Sequence, residues 1–190
     1  MIIPWFKIKK TKNRGWGVFA SRFIPKGTIT CFECKKCRIY KSIKQLNKLP
    51  KYSSEHILGH GFERKEGDFL MPCDETIYLN HSCDANTLTD PKTNLDIVIK
   101  DIKKGEELTY DYRMFFQGKF KQNYYYTNMK CKCGEKNCQK IINPKHPPLK
   151  IIENFWNNRI KSALKLINKV PQPLKKQIIR DYPKHKKLFL

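Results

Sequence analysis

The sequence predicts an α+β fold that is mainly β, built from short strands, with a C-terminal helical extension. Short alternating runs of apolar and polar residues, the period of a half-buried strand, recur between Trp5 and Tyr112 and are separated by Gly and Pro turns. From Pro147 onward the apolar residues instead recur every three to four positions, the period of a helix with one buried face. Hydrophobic residues make up 39% and aromatic residues 12% of the 190, enough apolar material for one packed core without disulfide staples.

Taken in order, Lys7-Ile8-Lys9 alternates as a first strand. Arg14-Gly15-Trp16-Gly17 then turns into Val18-Phe19-Ala20, its glycines allowing backbone to approach a ligand closely. Pro25-Lys26-Gly27 turns into a strand over Thr28 to Phe32. Cys31, Cys34 and Cys37 follow at C-x2-C-x2-C, and with Cys73 they offer four thiols. That spacing allows a metal site; on the other reading Cys31 and Cys73 are buried strand residues, since free cysteine packs as a small hydrophobe. Ser42 to Leu49 reads as a short helix stopped at Pro50, and Glu55 to Gly67 as loop carrying His56 and His60.

Phe69-Leu70-Met71, Thr76 to Leu79 and Leu95 to Ile99 read as further strands. Tyr78-Leu79 runs into Asn80-His81-Ser82-Cys83-Asp84-Ala85-Asn86, a buried strand ending in a turn whose Asn and Asp bond their own backbone. Gly105 to Tyr112 is a turn feeding a short strand with Tyr110 and Tyr112 on one face. Cys131, Cys133 and Cys138 place three thiols at C-x-C-x4-C. Ile152, Phe155 or Trp156, Ile160, Ala163 or Leu164, and Ile167 predict one amphipathic helix of about five turns. Pro171 and Pro173 end it, and Leu174 to Tyr182 forms a second, short helix.

The formal charge is +22, and the tail from Pro144 carries twelve Lys and Arg against two Asp and Glu. Such a balance favours anionic partners such as nucleic acid or nucleoprotein; lysine usage from an AT-rich coding sequence accounts for it equally well. The tail helices either pack onto the core or dock a nucleoprotein. No run of about 18 apolar residues is present, so no transmembrane helix and no membrane partner are expected. The N-terminus lacks the pattern of a secretory signal, and eight cysteines without one point to a reducing intracellular compartment, cytoplasm or nucleus, and to metal ligands before disulfides.

Four stretches, Arg14 to Ala20, Tyr78 to Asn86, Gly105 to Tyr112 and Cys131 to Cys138, together resemble a SET-domain protein lysine methyltransferase with a post-SET zinc segment, over roughly Lys9 to Ile142. The resemblance implies a fold of small sheets with a pseudoknot, divided as SET domain 1–116, post-SET segment 117–146 and basic helical extension 147–190. It implies S-adenosyl-L-methionine as methyl donor, held by Gly15, Trp16, Gly17, Asn80 and His81, with Asn86 bracing the turn. Tyr112 matches the catalytic tyrosine, and Tyr110 the position that limits the product to mono- or dimethyl-lysine. Cys83 joins Cys131, Cys133 and Cys138 as the fourth ligand of a structural Zn2+. Phe115, Phe116 and Tyr124 to Tyr126 are candidate channel aromatics. Two departures stand out: Ala85 replaces a proline, and Ile77-Tyr78 an Arg-Phe pair.

The implied function is methylation of a protein lysine, on a histone or another basic, chromatin-like nucleoprotein component, with nucleic-acid contact through the basic tail. A non-histone substrate such as a ribosomal protein is an alternative. A catalytically silent, zinc-containing nucleic-acid-binding protein is the rival from another class.

Overall fold

The computed structural model describes residues 1–64, 68–117, 128–143 and 149–190. Its first half is laid down by short strands: β1 (Phe6–Lys10), β2 (Trp16–Ala20), β3 (Ile29–Phe32) and β4 (Arg38–Tyr40), followed by helices α1 (Ile43–Asn47) and α2 (Lys51–His60). Then come β5 (Phe62–Glu63), β6 (Phe69–Met71), β7 (Asn80–His81), β8 (Thr87–Asp90), β9 (Leu95–Val98), β10 (Glu107–Tyr110), β11 (Met129–Lys130) and β12 (Ile141–Ile142). Helices α3 (Leu149–Leu164) and α4 (Lys175–Asp181) close the chain.

Three sheets result. The large one runs β1-β2-β10-β8-β9-β3, with β7 paired to β10 off that path; the small one runs β4-β6-β5, and β11 pairs with β12. β10 is the hub, antiparallel to β2 and parallel to both β7 and β8. Strands close in sequence pair as hairpins, whereas β10 draws in segments from both halves of the chain, which is what assembles the site.

The core follows the alternation. Val18, Ile24, Ile29, Phe32, Val98, Ile102 and Leu108 are buried in one cluster, joined from the tail by Ile167, Leu174, Ile178 and Phe189. On α3, Ile152, Trp156, Ile160 and Ala163 form a buried stripe against Ala85, Leu88, Ile97 and Ile99. The tail helices therefore pack on the strand core, and the change of pattern at residue 147 is not a break in the interior.

The structure departs from the sequence expectations in three places. Thr76 to Leu79 is not a strand; Glu75–Tyr78 forms a 3-10 turn whose start is capped by Asp74, whose side chain accepts from the Thr76 amide. Residues 55–60 are not loop but the second half of α2, in which Ile57 is the buried residue. Tyr112 lies beyond β10, at the start of a 3-10 turn over Tyr112–Gln117, so the two tyrosines do not share a strand face.

Candidate active site and cysteine centres

Parallel pairing of β7 with β10 sets Asn80 opposite Thr109 and His81 opposite Tyr110. The Ser82 amide continues the ladder to the Tyr110 carbonyl at 3.0 Å. Asn86 braces the far side of the turn, donating to the Glu107 carbonyl at 2.8 Å and accepting from the Thr109 amide at 2.9 Å. Burial pushes the His81 imidazole down to about 4, against the opposing pull of Asp111, so it is neutral at pH 7. Its Nδ1 accepts from the Tyr112 amide at 3.1 Å, which leaves the ring proton on Nε2, 3.3 Å from Cys83 Sγ. One ring thus positions both a tyrosine and a thiol.

Beside it, Asn80 Nδ2 donates to the Trp16 carbonyl at 2.8 Å and to Glu107 Oε1 at 2.7 Å. Arg14 pairs with Glu107 and donates to the His81 carbonyl at 3.1 Å. Glu107 is therefore a junction of the turn, a role the sequence does not mark although the residue lies inside the Gly105 to Tyr112 stretch. The two glycines have different reasons. A side chain at Gly17 would collide with Glu107 Oε1 and come within 2.9 Å of Thr11 Cγ2, so the space on that side of its backbone is filled by protein. Gly15 has φ +72° and open space where a Cβ would stand. Trp16 is half-exposed, and Asn80 Oδ1 carries no hydrogen bond among the described residues.

Tyr110 and Tyr112 both line a cavity of about 200 Å³, with Leu79, Ile77 and Met114 on its apolar side and Glu33, Glu63 and Asp96 among its acidic groups. The Tyr112 hydroxyl donates to the Leu79 carbonyl at 2.5 Å, and its ring lies tilted against His81 at 5.4 Å between centroids. The Tyr110 hydroxyl is bonded to Thr89 Oγ1, which is bonded in turn to Asp96. Burial holds the Tyr110 phenol well above its ordinary range and pushes Asp96 up to about 6, the bond from Thr89 opposing in both cases. Thr89 and Asp96 face each other across β8 and β9. Nothing in their local sequence marks them, because their role comes from that register. Behind the site, buried Asp111 accepts from Arg113 Nε at 2.8 Å and from the Trp156 indole at 3.0 Å.

Cys83, Cys131, Cys133 and Cys138 come together with all four sulfurs within 4.8 Å of one another, Cys83 and Cys131 being 3.8 Å apart. Zinc held tetrahedrally at about 2.3 Å by thiolates sets its sulfurs about 3.8 Å apart, so this donor set fits the ion. Backbone amides of Gln139 and Lys140 donate to Cys83 and Cys138 sulfurs, each at 3.4 Å, as ligand-orienting groups do. Cys34, Cys37 and Cys73 form a second group. Cys31 is buried in β3, as a packing residue would be, but Cys73 is exposed and belongs with Cys34 and Cys37. Neither His56 nor His60 joins either group among the described residues. Tyr124, Tyr125 and Tyr126 lie outside the described residues, as do the side chains of Phe115 and Phe116.

The sequence pattern of the SET domain matches residues 15–113, more than half of the 190. The chain belongs to the SET-domain family. The matched span holds Gly15, Asn80, Cys83 and Tyr112 but stops short of the three late cysteines and the tail helices. This SET domain is similar to human histone-lysine N-methyltransferase SETMAR, at 26% identity over 159 residues covering 72% of this chain and 23% of that protein. It is also similar to the H3 lysine-9 specific histone-lysine N-methyltransferase KMT1 of Fusarium mangiferae, at 29% identity over 166 residues covering 72% of this chain and 48% of that protein. The chain thus spans less than half the length of either relative. Among solved structures, the methyltransferase domain of human SETMAR aligns with a TM-score of 0.49 at 23% identity, covering 72% of this chain and 57% of that one. No helix among the described residues is long and apolar enough to cross a membrane.

Proposed function

We propose that this SET domain is a protein lysine methyltransferase that takes S-adenosyl-L-methionine as donor and stops at mono- or dimethyl-lysine. The observation that carries the reading is the position of Tyr112. Its backbone is bonded to His81 of the Asn-His motif, its hydroxyl to the Leu79 carbonyl, and it lines the cavity it shares with Tyr110.

Methylation needs a neutral amine, whereas free lysine has a pKa of about 10.4 and is almost wholly protonated at pH 7. A cavity walled by Leu79, Ile77 and Met114 disfavours the ammonium by desolvation. Tyr112, pinned through Leu79, orients the amine and the carbon it attacks. The bound donor supplies an electrophilic methyl on a sulfonium. Gly15, Trp16, Gly17, Asn80 and His81 are the residues that would hold it: open backbone at Gly15, the half-exposed Trp16 indole, and an acceptor at Asn80 Oδ1 for an ammonium. Tyr110, its hydroxyl fixed by Thr89, occupies space beside the amine and hinders a third methyl. Cys83, Cys131, Cys133 and Cys138 hold structural zinc that ties residues 128–143 to the Asn-His turn, a link that Ser82 reinforces by donating to Glu135 at 3.0 Å.

The acceptor lysine belongs to a histone or another nucleic-acid-associated protein such as a ribosomal one. A chain of net charge +22 repels such a partner unless nucleic acid bridges them, a role suited to the basic tail. Incubating the purified protein with labelled donor and separate pools of histones, nucleosomes and ribosomal proteins tests the reading. Label on lysine in one pool is expected. Salt-sensitive nucleic-acid binding with neither donor binding nor label in any pool would favour the silent, nucleic-acid-binding alternative.

A further inference from the structure

We propose that Cys34, Cys37 and Cys73 hold a second zinc ion, which fastens the small β4-β6-β5 sheet to the end of the large one. The three sulfurs make a nearly equilateral triangle, 3.4 Å for Cys34 to Cys73, 3.7 Å for Cys37 to Cys73 and 3.9 Å for Cys34 to Cys37. Those edges bracket the ~3.8 Å separation of thiolates held tetrahedrally at about 2.3 Å from zinc. A disulfide would draw two of the sulfurs to about 2.05 Å and strand the third. Three mutually adjacent thiols instead describe one face of a tetrahedron.

The surroundings are those of a ligand loop. Cys34 and Cys37 sit in the connection from β3 to β4, folded into a turn by the Cys37 amide bonding to the Cys34 carbonyl at 3.0 Å. Cys73 comes from the segment after β6, so one ion would join chain positions far apart in sequence. Zinc with three thiolates carries one net negative charge, and Lys36 and Arg38 line the same cavity as Cys73. That cavity, of about 410 Å³, borders Cys73, which is itself exposed. No fourth protein ligand belongs to the group among the described residues.

The consequence is mechanical. Cys37 and Pro72 also line the cavity that holds Tyr110 and Tyr112, so the ion fixes one wall of it. This site stands on geometry alone and does not depend on methyl transfer.

Elemental analysis of protein purified under reducing conditions tests it. The Cys34→Ser/Cys37→Ser/Cys73→Ser variant is expected to hold one zinc equivalent fewer than wild type, and Cys131→Ser/Cys133→Ser/Cys138→Ser to lose a different one. An unchanged zinc content in the first variant overturns the proposal. Should that variant fail to fold, cadmium-113 NMR of the wild-type chain decides, because a resonance of a three-thiolate site, distinct from that of four thiolates, is expected and its absence overturns the proposal. A Cys34–Cys73 disulfide found by peptide mapping of the purified protein would overturn it too. Absence of methyl transfer, by contrast, would leave the zinc count unchanged.

Discussion

At the scale of single residues, the run from Tyr110 through Thr89 to Asp96 makes two predictions. Replacing Tyr110 with Phe removes the hydroxyl that Thr89 holds and opens space beside the amine, so trimethyl-lysine should appear in product mass spectra that in wild type stop at mono- or dimethyl. Asp96 concerns pH. Its carboxyl is raised to about 6 in the folded chain against about 3.9 unfolded, so between those values the native state binds more protons than the unfolded one. Stability therefore falls as pH rises through this window. Ionised Asp96 costs at most about 3 kcal/mol at pH 7, less to the extent that solvent reaches it through the cavity. Urea midpoints measured from pH 4 to 7 should show Asp96→Asn gaining on wild type as pH rises; a constant difference would mean that Asp96 titrates normally. Neither residue pair is visible as a pair in the sequence, because only the β8–β9 register brings Thr89 to Asp96.

At the scale of elements, α3 is more than a cover. Its Trp156 is buried and bonds Asp111, which sits between the two tyrosines in sequence and also holds Arg113. Hydrogen bonds to charged groups contribute about 1.5–3 kcal/mol. Trp156→Phe should accordingly lower Tm by about 4–8 °C for a loss near 2 kcal/mol, with methyl-transfer activity reduced as well, as thermal melts and rate assays would show. The buried stripe of α3 was legible because Ile152, Ile160 and Ala163 repeat at helical spacing, but the partner of the Trp156 indole was not, since it lies 45 positions away. Other elements show where local pattern misleads. Thr76-Ile77-Tyr78 has strand-forming residues, yet the Asp74 cap bends it into a 3-10 turn. In α2 only Ile57 is buried, so Lys51–His60 offers no apolar stripe to read.

At the scale of the whole molecule, the order of the first three motifs was enough to identify the SET-domain family, since each keeps its local chemistry of glycine turn, Asn-His turn and tyrosine segment. What the motifs do to one another needed the fold. Glu107 joins the glycine turn to Asn80, His81 joins Tyr112 to Cys83, and Ser82 reaches Glu135. Zinc binding in small sites is worth about 10–16 kcal/mol, comparable to the whole ~5–15 kcal/mol stability of a domain. Chelation should therefore expose residues 128–143 to protease, lower Tm and abolish activity; an active, metal-free preparation would contradict the assignment of Cys83, Cys131, Cys133 and Cys138.

The central claim is that donor pocket and lysine cavity meet at the Tyr112 phenol. Its most direct test is a paired measurement on Tyr112→Phe, with methyl transfer to a lysine peptide followed by mass spectrometry and donor affinity by calorimetry. A loss of about 100-fold or more in turnover with donor affinity within a few-fold of wild type is predicted. Undiminished turnover, or a loss of donor binding large enough to explain the whole effect, would contradict it.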